Sequence, residues 1–396
     1  MQLCDFRYCV ICADHGLLPK LYGAFREEVL PAFVDDAEGL QGLLASSRLP
    51  DAALVVVSGS PTEGDLIDRL HAELRSLSVE IPLIVMLTKS GTLPPLLRPA
   101  AVLGRGFPLP NLQTRLADVA RLTRRIEEAR LRRKVFGPLG NMYERRPRLL
   151  ADAGFLIVGT GRRFASIQAA NRDRIKLVGA FTSDMADYYL SEAPFLAVMI
   201  DSDVETAQEQ ILRLRADPRH VTLPIIAAAS NTIDATDLYL AGATDVIVEP
   251  RSDGELAARL AFAARTGVRR RLANHWFSTF RDRFLIDEQW LPIDPLTFED
   301  YLSRSEEIAR KRGIELQVIW LEELARGLLR ETGQVALGAE RSLANRLASA
   351  ATLVSRDEDL VVQVTGRGPV AVVHGAAAAE RVGERVKAFA RTTRFG

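Results

Sequence analysis

The chain has 396 residues, 47% of them apolar, and its 51 Lys and Arg balance 51 Asp and Glu. That length predicts about two to four domains with ordinary globular cores, and a net charge of zero argues against a nucleic-acid or membrane-surface protein. No apolar run reaches the roughly 18 residues needed to span a bilayer. The start, Met1-Gln-Leu-Cys-Asp-Phe-Arg7, lacks the basic and apolar stretches of a signal peptide. Cys4, Cys9 and Cys12 all sit at the start of the chain and cannot frame disulfides, so a reducing, cytoplasmic setting is expected. In a strand, Cys9 and Cys12 point to opposite faces, so they read as core thiols rather than a metal or redox pair.

In chain order, five apolar runs alternate with helical patterns: Arg7–Ala13, Val29–Val34, Ala53–Ser58, Ile81–Thr88 and Ala100–Leu103. A second set follows: Gly154–Gly159, Lys176–Phe181, Phe195–Ile200, Leu223–Ala229 and Thr244–Val248. Continuous apolar runs mark parallel strands buried on both faces, and strand–helix alternation predicts doubly wound parallel sheets. The sets are copies. Leu54 corresponds to Leu196, Ile81 to Leu223 and Phe107 to Glu249, each pair 142 positions apart. Arg124–Arg148 reads as a helix leaving the first module and then a linker, and Leu256–Arg283 as a helical stalk leaving the second.

Four segments of the second copy together resemble a response-regulator receiver domain: Ala197–Asp201, Leu212–Pro218, Leu223–Ser230 and Ala241–Pro250. The resemblance implies that Asp201 is the candidate phosphoacceptor. It also implies two metal-holding acids after the first strand, where this chain has Gly159 and Thr160, and a Lys where it has Glu249. The switch hydroxyl position is Ala229, with Ser230 one place late. In the first copy the acceptor position is Gly59 beside Ser58, the Lys position is Phe107, and Asp14 has no acidic neighbour. Both modules are therefore expected to be degenerate, serving packing or docking.

Residues 294–396 resemble a GGDEF domain. Asp294-Pro-Leu-Thr297 opens the segment, followed by an amphipathic helix over Phe298–Arg312, a strand over Leu316–Leu321 and a helix near Ala339–Val354. Then come Arg356-Asp-Glu-Asp359, five residues, and Thr365-Gly-Arg-Gly-Pro369 before a strand at Val370–Val373. The resemblance aligns Arg356 and Asp359 with the family's Arg-x-x-Asp inhibitory site, and Thr365–Pro369 with its catalytic Gly-Gly-Asp-Glu-Phe turn. Here the acid of that turn has become Arg367, and only Glu322 or Glu323 stands near the family's earlier metal Asp. No cyclase activity and no metal are expected.

The surviving Arg-x-x-Asp implies a cyclic di-GMP site. A guanidinium grips a guanine edge or a phosphate in bidentate fashion. The resemblance adds an Arg from the following helix, matched by Arg385 with Arg381 and Lys387 nearby, and one from the first helix, matched by Arg310 or Arg312. The family continues well past the last helix of this chain, so the module is expected to be abbreviated or covered by its neighbours.

The expected architecture is α/β: a receiver-like module at 1–130, a linker at 131–150, a second receiver-like module at 151–270, a helical stalk at 271–293 and a shortened GGDEF-like module at 294–396 with a mainly antiparallel sheet. The receiver sheets are of the flavodoxin-like type. The layout is similar to that of PopA-type cyclic di-GMP effectors. It implies a non-catalytic effector that recruits protein partners such as a protease adaptor, at a cell pole, as a homodimer through the receiver-like modules. Neither nucleic acid nor membrane insertion is expected. Two alternatives stand beside it, a nucleotide-independent scaffold and a response regulator controlled through Asp201.

Overall fold

A computed structural model describes residues 6–26, 31–46, 48–58, 63–77, 79–88, 99–140, 153–171, 175–248, 253–286, 289–332 and 339–392. The chain divides into two compact units, one of residues 1–46, 50–123 and 145–271, the other of residues 47–49, 124–144 and 272–396.

In the first unit, β1 (Tyr8–Ile11), α1 (Leu18–Tyr22), β2 (Ala32–Val34), α2 (Ala37–Leu44), β3 (Ala52–Val57), α3 (Glu63–Ser76), β4 (Leu83–Leu87) and β5 (Ala101–Leu103) precede the long α4 (Leu112–Phe136). The sheet is parallel with order β2-β1-β3-β4-β5. The second module repeats this with β6 (Gly154–Gly159), α5 (Phe164–Asn171), β7 (Leu177–Ala180), α6 (Ser183–Glu192), β8 (Phe195–Asp201), α7 (Val204–Ala216), β9 (Ile225–Ala229), α8 (Thr232–Ala241), β10 (Asp245–Val248) and α9 (Asp253–Phe284). Its order, β7-β6-β8-β9-β10, is the same. That is the flavodoxin-like order, in which the crevice lies at the carboxyl ends of the first and third strands. Cys9 and Cys12 are both buried, and burial pushes the Cys9 thiol up to about 12, so the pair behaves as core sulfur.

The two modules pack against each other within this unit. Tyr239 Oη accepts from Gly104 N at 3.0 Å and Val246 N at 3.1 Å and donates to Asp245 Oδ1 at 3.2 Å. Arg259 Nη1 reaches Asp245 Oδ1 at 3.3 Å and Val246 O at 2.9 Å, and Arg115 Nη2 reaches Thr244 O at 3.2 Å. Burial raises the Asp245 carboxyl despite the Arg259 guanidinium beside it. Phe107, the counterpart of Glu249 in the first copy, lies edge-on to Tyr239 at 5.0 Å. The β5 and β10 sides of the two sheets thus cover one another.

The second unit holds the end of α4, the end of α9, a hairpin of β11 (Leu285–Ile286) and β12 (Gln289–Trp290), and then α10 (Pro295–Arg312), β13 (Leu316–Trp320), α11 (Leu321–Thr332), α12 (Ala339–Val354), β14 (Leu360–Val364), β15 (Gly368–His374) and α13 (Ala376–Thr392). Its three-stranded sheet, β13-β15-β14, is antiparallel throughout. Side chains alternate between its faces. Val361, Ala371 and Val373 pack with α11, α12 and α13, while Leu360, Val362, Val364, Val370 and Val372 pack with Phe298 and Tyr301 of α10, Leu131 and Phe136 of α4, and Phe280 and Phe284 of α9. Helices that precede the module in the chain therefore cover one sheet face. Two expectations are corrected: α11 follows β13 directly, where the sequence reading passed from strand to the helix at Ala339, and the stalk ends as a helix at Phe284. No helix among the described residues is long and apolar enough to cross a membrane.

Candidate functional site

Asp201 ends β8 with 1% of its surface exposed. Its Oδ2 accepts from Arg163 N at 2.8 Å and its Oδ1 from Arg163 Nη1 at 2.7 Å. A guanidinium from the loop after β6 thus sits against the carboxylate, next to Gly159 and Thr160. Gly159 has φ +132, and a Cβ there would run into the Asp201 carbonyl, so no acidic residue fits at this position. Ala229 is buried, Ser230 exposed, and Gly59 and Glu249 lie outside the described residues.

In the second unit, Asp294 caps α10. Its Oδ1 accepts from Thr297 N at 2.9 Å and its Oδ2 from Thr297 Oγ1 at 2.5 Å. These bonds draw its carboxyl below the usual range. The Asp-x-Leu-Thr segment is thus a helix start, as its residue types favour. Thr365–Gly368 turns β14 into β15, with Gly366 at φ 74 and Gly368 at φ 85. Arg367 pairs with Glu299 at 3.2 Å on the exposed surface. A Cβ at Gly368 would meet the Glu322 carboxylate, so of the two candidates for the metal acid it is Glu322 that the fold sets against the turn. Among the described residues no group of three or more His, Cys, Asp or Glu could hold a metal ion.

Arg356 and Asp359 form the turn between α12 and β14. Asp359 Oδ2 accepts from Arg356 N at 3.0 Å, Oδ1 from His374 N at 3.3 Å, and Asp359 N donates to Arg356 O at 3.0 Å. Asp359 is 5% exposed, and burial raises its carboxyl above the ordinary range although these N–H donors pull the other way. The side chain therefore pins the turn to β15. The Arg356 guanidinium has no hydrogen bond or ion pair among the described residues. Both residues border a shallow, open cleft whose other wall carries Arg132, Phe277, Phe280 and Arg281.

The remaining candidates lie elsewhere. Arg385 is exposed on α13 and is not among the cleft residues. Arg312 is 3% exposed and binds Glu127 Oε2 through Nη2 at 2.6 Å and Nε at 3.0 Å. Arg310 is exposed. The sequence reading passed over Arg132 and Arg281. The spacing of Phe277, Phe280, Arg281 and Phe284 on one helix face carried the signal for the second. Nothing local marks Arg132 in the Arg-rich helix that contains it.

No protein-family model matches the chain, and no curated protein matches it. Among solved structures, the chemotaxis response regulator CheY4 of Vibrio cholerae is similar over 28% of this chain and 98% of its own, with 20% identity and a TM-score of 0.25. The GsuK channel bound to NAD matches over 96% of this chain and 74% of its own at 12% identity and a TM-score of 0.22. Tagatose-6-phosphate ketose/aldose isomerase from Escherichia coli matches over 68% and 82% at 10% identity and a TM-score of 0.18. Likenesses at these scores carry no argument, and the strand orders stand on the chain's own topology.

Proposed function

We propose that the chain is a non-catalytic cyclic di-GMP effector built on two receiver-like modules and a degenerate GGDEF-like module. One observation carries the reading: Arg356, whose guanidinium has no hydrogen bond or ion pair among the described residues, and Asp359 border a cleft with two further arginines. A planar fork beside an apolar wall suits a ligand made of guanines and phosphates. The Arg367 turn, lacking an acid, supports the absence of cyclase chemistry. Recruitment of a protease adaptor, a polar location and a homodimer belong to the same reading through its resemblance to PopA-type effectors.

The pinned carboxylate of Asp359 favours a second reading, in which the tetrad is only a turn and the chain is a nucleotide-independent scaffold. Isothermal titration of cyclic di-GMP into the full chain and Arg356→Ala separates them. Loss of a buried bidentate contact is worth on the order of 2–5 kcal/mol, so binding at least tenfold weaker in the variant is expected. No binding by the wild type leaves the scaffold.

A further inference from the structure

The cleft is bordered by donors that have no hydrogen-bond partner among the described residues. Arg132 of α4 is 6% exposed. Its Nε donates to Glu128 Oε1 at 2.7 Å, and its guanidinium lies 5.0 Å from the Phe277 ring centre and 5.3 Å from that of Phe280. Its Nη2 is buried without an acceptor among the described residues, and so is the Ser355 Oγ at the end of α12. Buried polar atoms are nearly always paired, so two orphans beside one cleft call for a cause. Arg281 adds an exposed cation with no hydrogen bond or ion pair among the described residues.

The acceptors around the cleft are engaged. Asp357 Oδ2 takes Arg125 Nη2 at 2.5 Å, Asp359 takes its two backbone N–H groups, and Glu128 Oε1 takes both Arg132 Nε and the Tyr301 hydroxyl at 2.7 Å. Three arginines line the cleft against two carboxylates, Asp357 and Asp359, and neither carboxylate takes a hydrogen bond from one of those guanidinium groups, so the arginines call for a further acceptor-rich, negatively charged group. Resting on the effector reading of this site, we infer that Arg132 Nη2, Ser355 Oγ and Arg281 take the phosphate ester of a guanine nucleotide whose other contact is Arg356. Three chain segments then share one ligand: α4, α9 and the turn after α12. A phosphate oxygen gives the buried fork nitrogen its missing partner, and the phenylalanine wall excludes water from the bond.

The test is titration of the full chain with cyclic di-GMP, linear 5′-phosphoguanylyl-guanosine and 5′-GMP, using the wild type, Arg132→Lys, Arg281→Ala, Ser355→Ala and Arg356→Ala. Lysine keeps a cation beside Glu128 and loses the second fork nitrogen. The expected result is about tenfold weaker binding for Arg132→Lys and about fivefold for Arg281→Ala. If Arg132→Lys does not fold, Arg281→Ala and Ser355→Ala decide. Binding that Arg356→Ala weakens and the far-wall variants leave unchanged overturns this inference while sparing the effector reading. Binding of 5′-GMP that the far-wall variants weaken, without any binding of cyclic di-GMP, keeps the inference and removes cyclic di-GMP as the ligand. No binding of any of the three removes both.

Discussion

Arg312 is the candidate whose two roles, ligand contact or structural pair, give opposite results on substitution. Its guanidinium and the Glu127 carboxylate are held at 2.6 Å with side-chain exposures of 2% and 12%, so solvent screens little of their interaction. Removing one partner of such a pair costs about 3–5 kcal/mol. With a urea dependence of about 2 kcal/mol per molar, Arg312→Met should lower the midpoint by about 1.5–2.5 M. The readout is built in, because Trp276, Trp290 and Trp320 are the chain's three tryptophans and all fall in the second unit. Tryptophan fluorescence therefore follows that unit's unfolding. Glu127→Gln and the double variant complete a cycle, and a coupling of about 2 kcal/mol or more is expected for a direct pair. An unchanged midpoint in Arg312→Met, together with lost nucleotide binding, would refute the structural assignment and return Arg312 to the ligand site.

Three further outcomes are expected. Gly267 in α9 lies so close to β8 that a Cβ would run into the Leu196 carbonyl. Gly267→Ala should therefore destabilise the first unit by about 1–2 kcal/mol in a urea titration followed by circular dichroism, overpacking outweighing the roughly 1 kcal/mol gain in helix propensity. Gly42→Ala in α2, with no atom within 4 Å, should be neutral or stabilising. The raised Asp359 carboxyl means that the folded chain holds its proton more tightly than the unfolded chain. Its contribution to stability is thus full below the ordinary carboxylate range and is lost as pH rises through the raised value. Asp359→Asn should accordingly become steadily more favourable relative to wild type as pH rises above the ordinary carboxylate range, measured as the difference in urea midpoints; a difference that does not change with pH would contradict the assignment.

The ten parallel strands were legible because each is a short apolar run closed by polar residues, and the fold moves their ends by only a few positions. β13 and α11 were not separated, because Leu321, Leu324, Ala325 and Leu328 begin where the strand's apolar run stops and no Gly or Pro divides them. The pairing of the two parallel-sheet modules was illegible for a different reason. It depends on Tyr239 and Gly104, which are 135 positions apart and meet only when both sheets exist. That contact occupies the β5 and β10 sides, so a homodimer through these modules would have to use another face.

The Arg-x-x-Asp tetrad was found by spacing, but spacing does not say what each residue does. The fold accounts for the aspartate: its two oxygens close the turn onto Arg356 N and His374 N, and any chain with this turn would favour it. The fold does not account for the arginine side chain. Beyond its backbone bonds, Arg356 offers the turn only the charge it sets near Glu358 and Asp359, and its guanidinium borders the same cleft as Arg132 and Ser355, whose Nη2 and Oγ have no hydrogen-bond partner among the described residues. A turn built for stability alone would be served as well by a smaller residue at 356 and would not gather unpaired donors around one cleft. The asymmetry between the satisfied aspartate and the unsatisfied arginines is therefore the physical ground for seeking an anionic ligand there, independently of what the tetrad resembles.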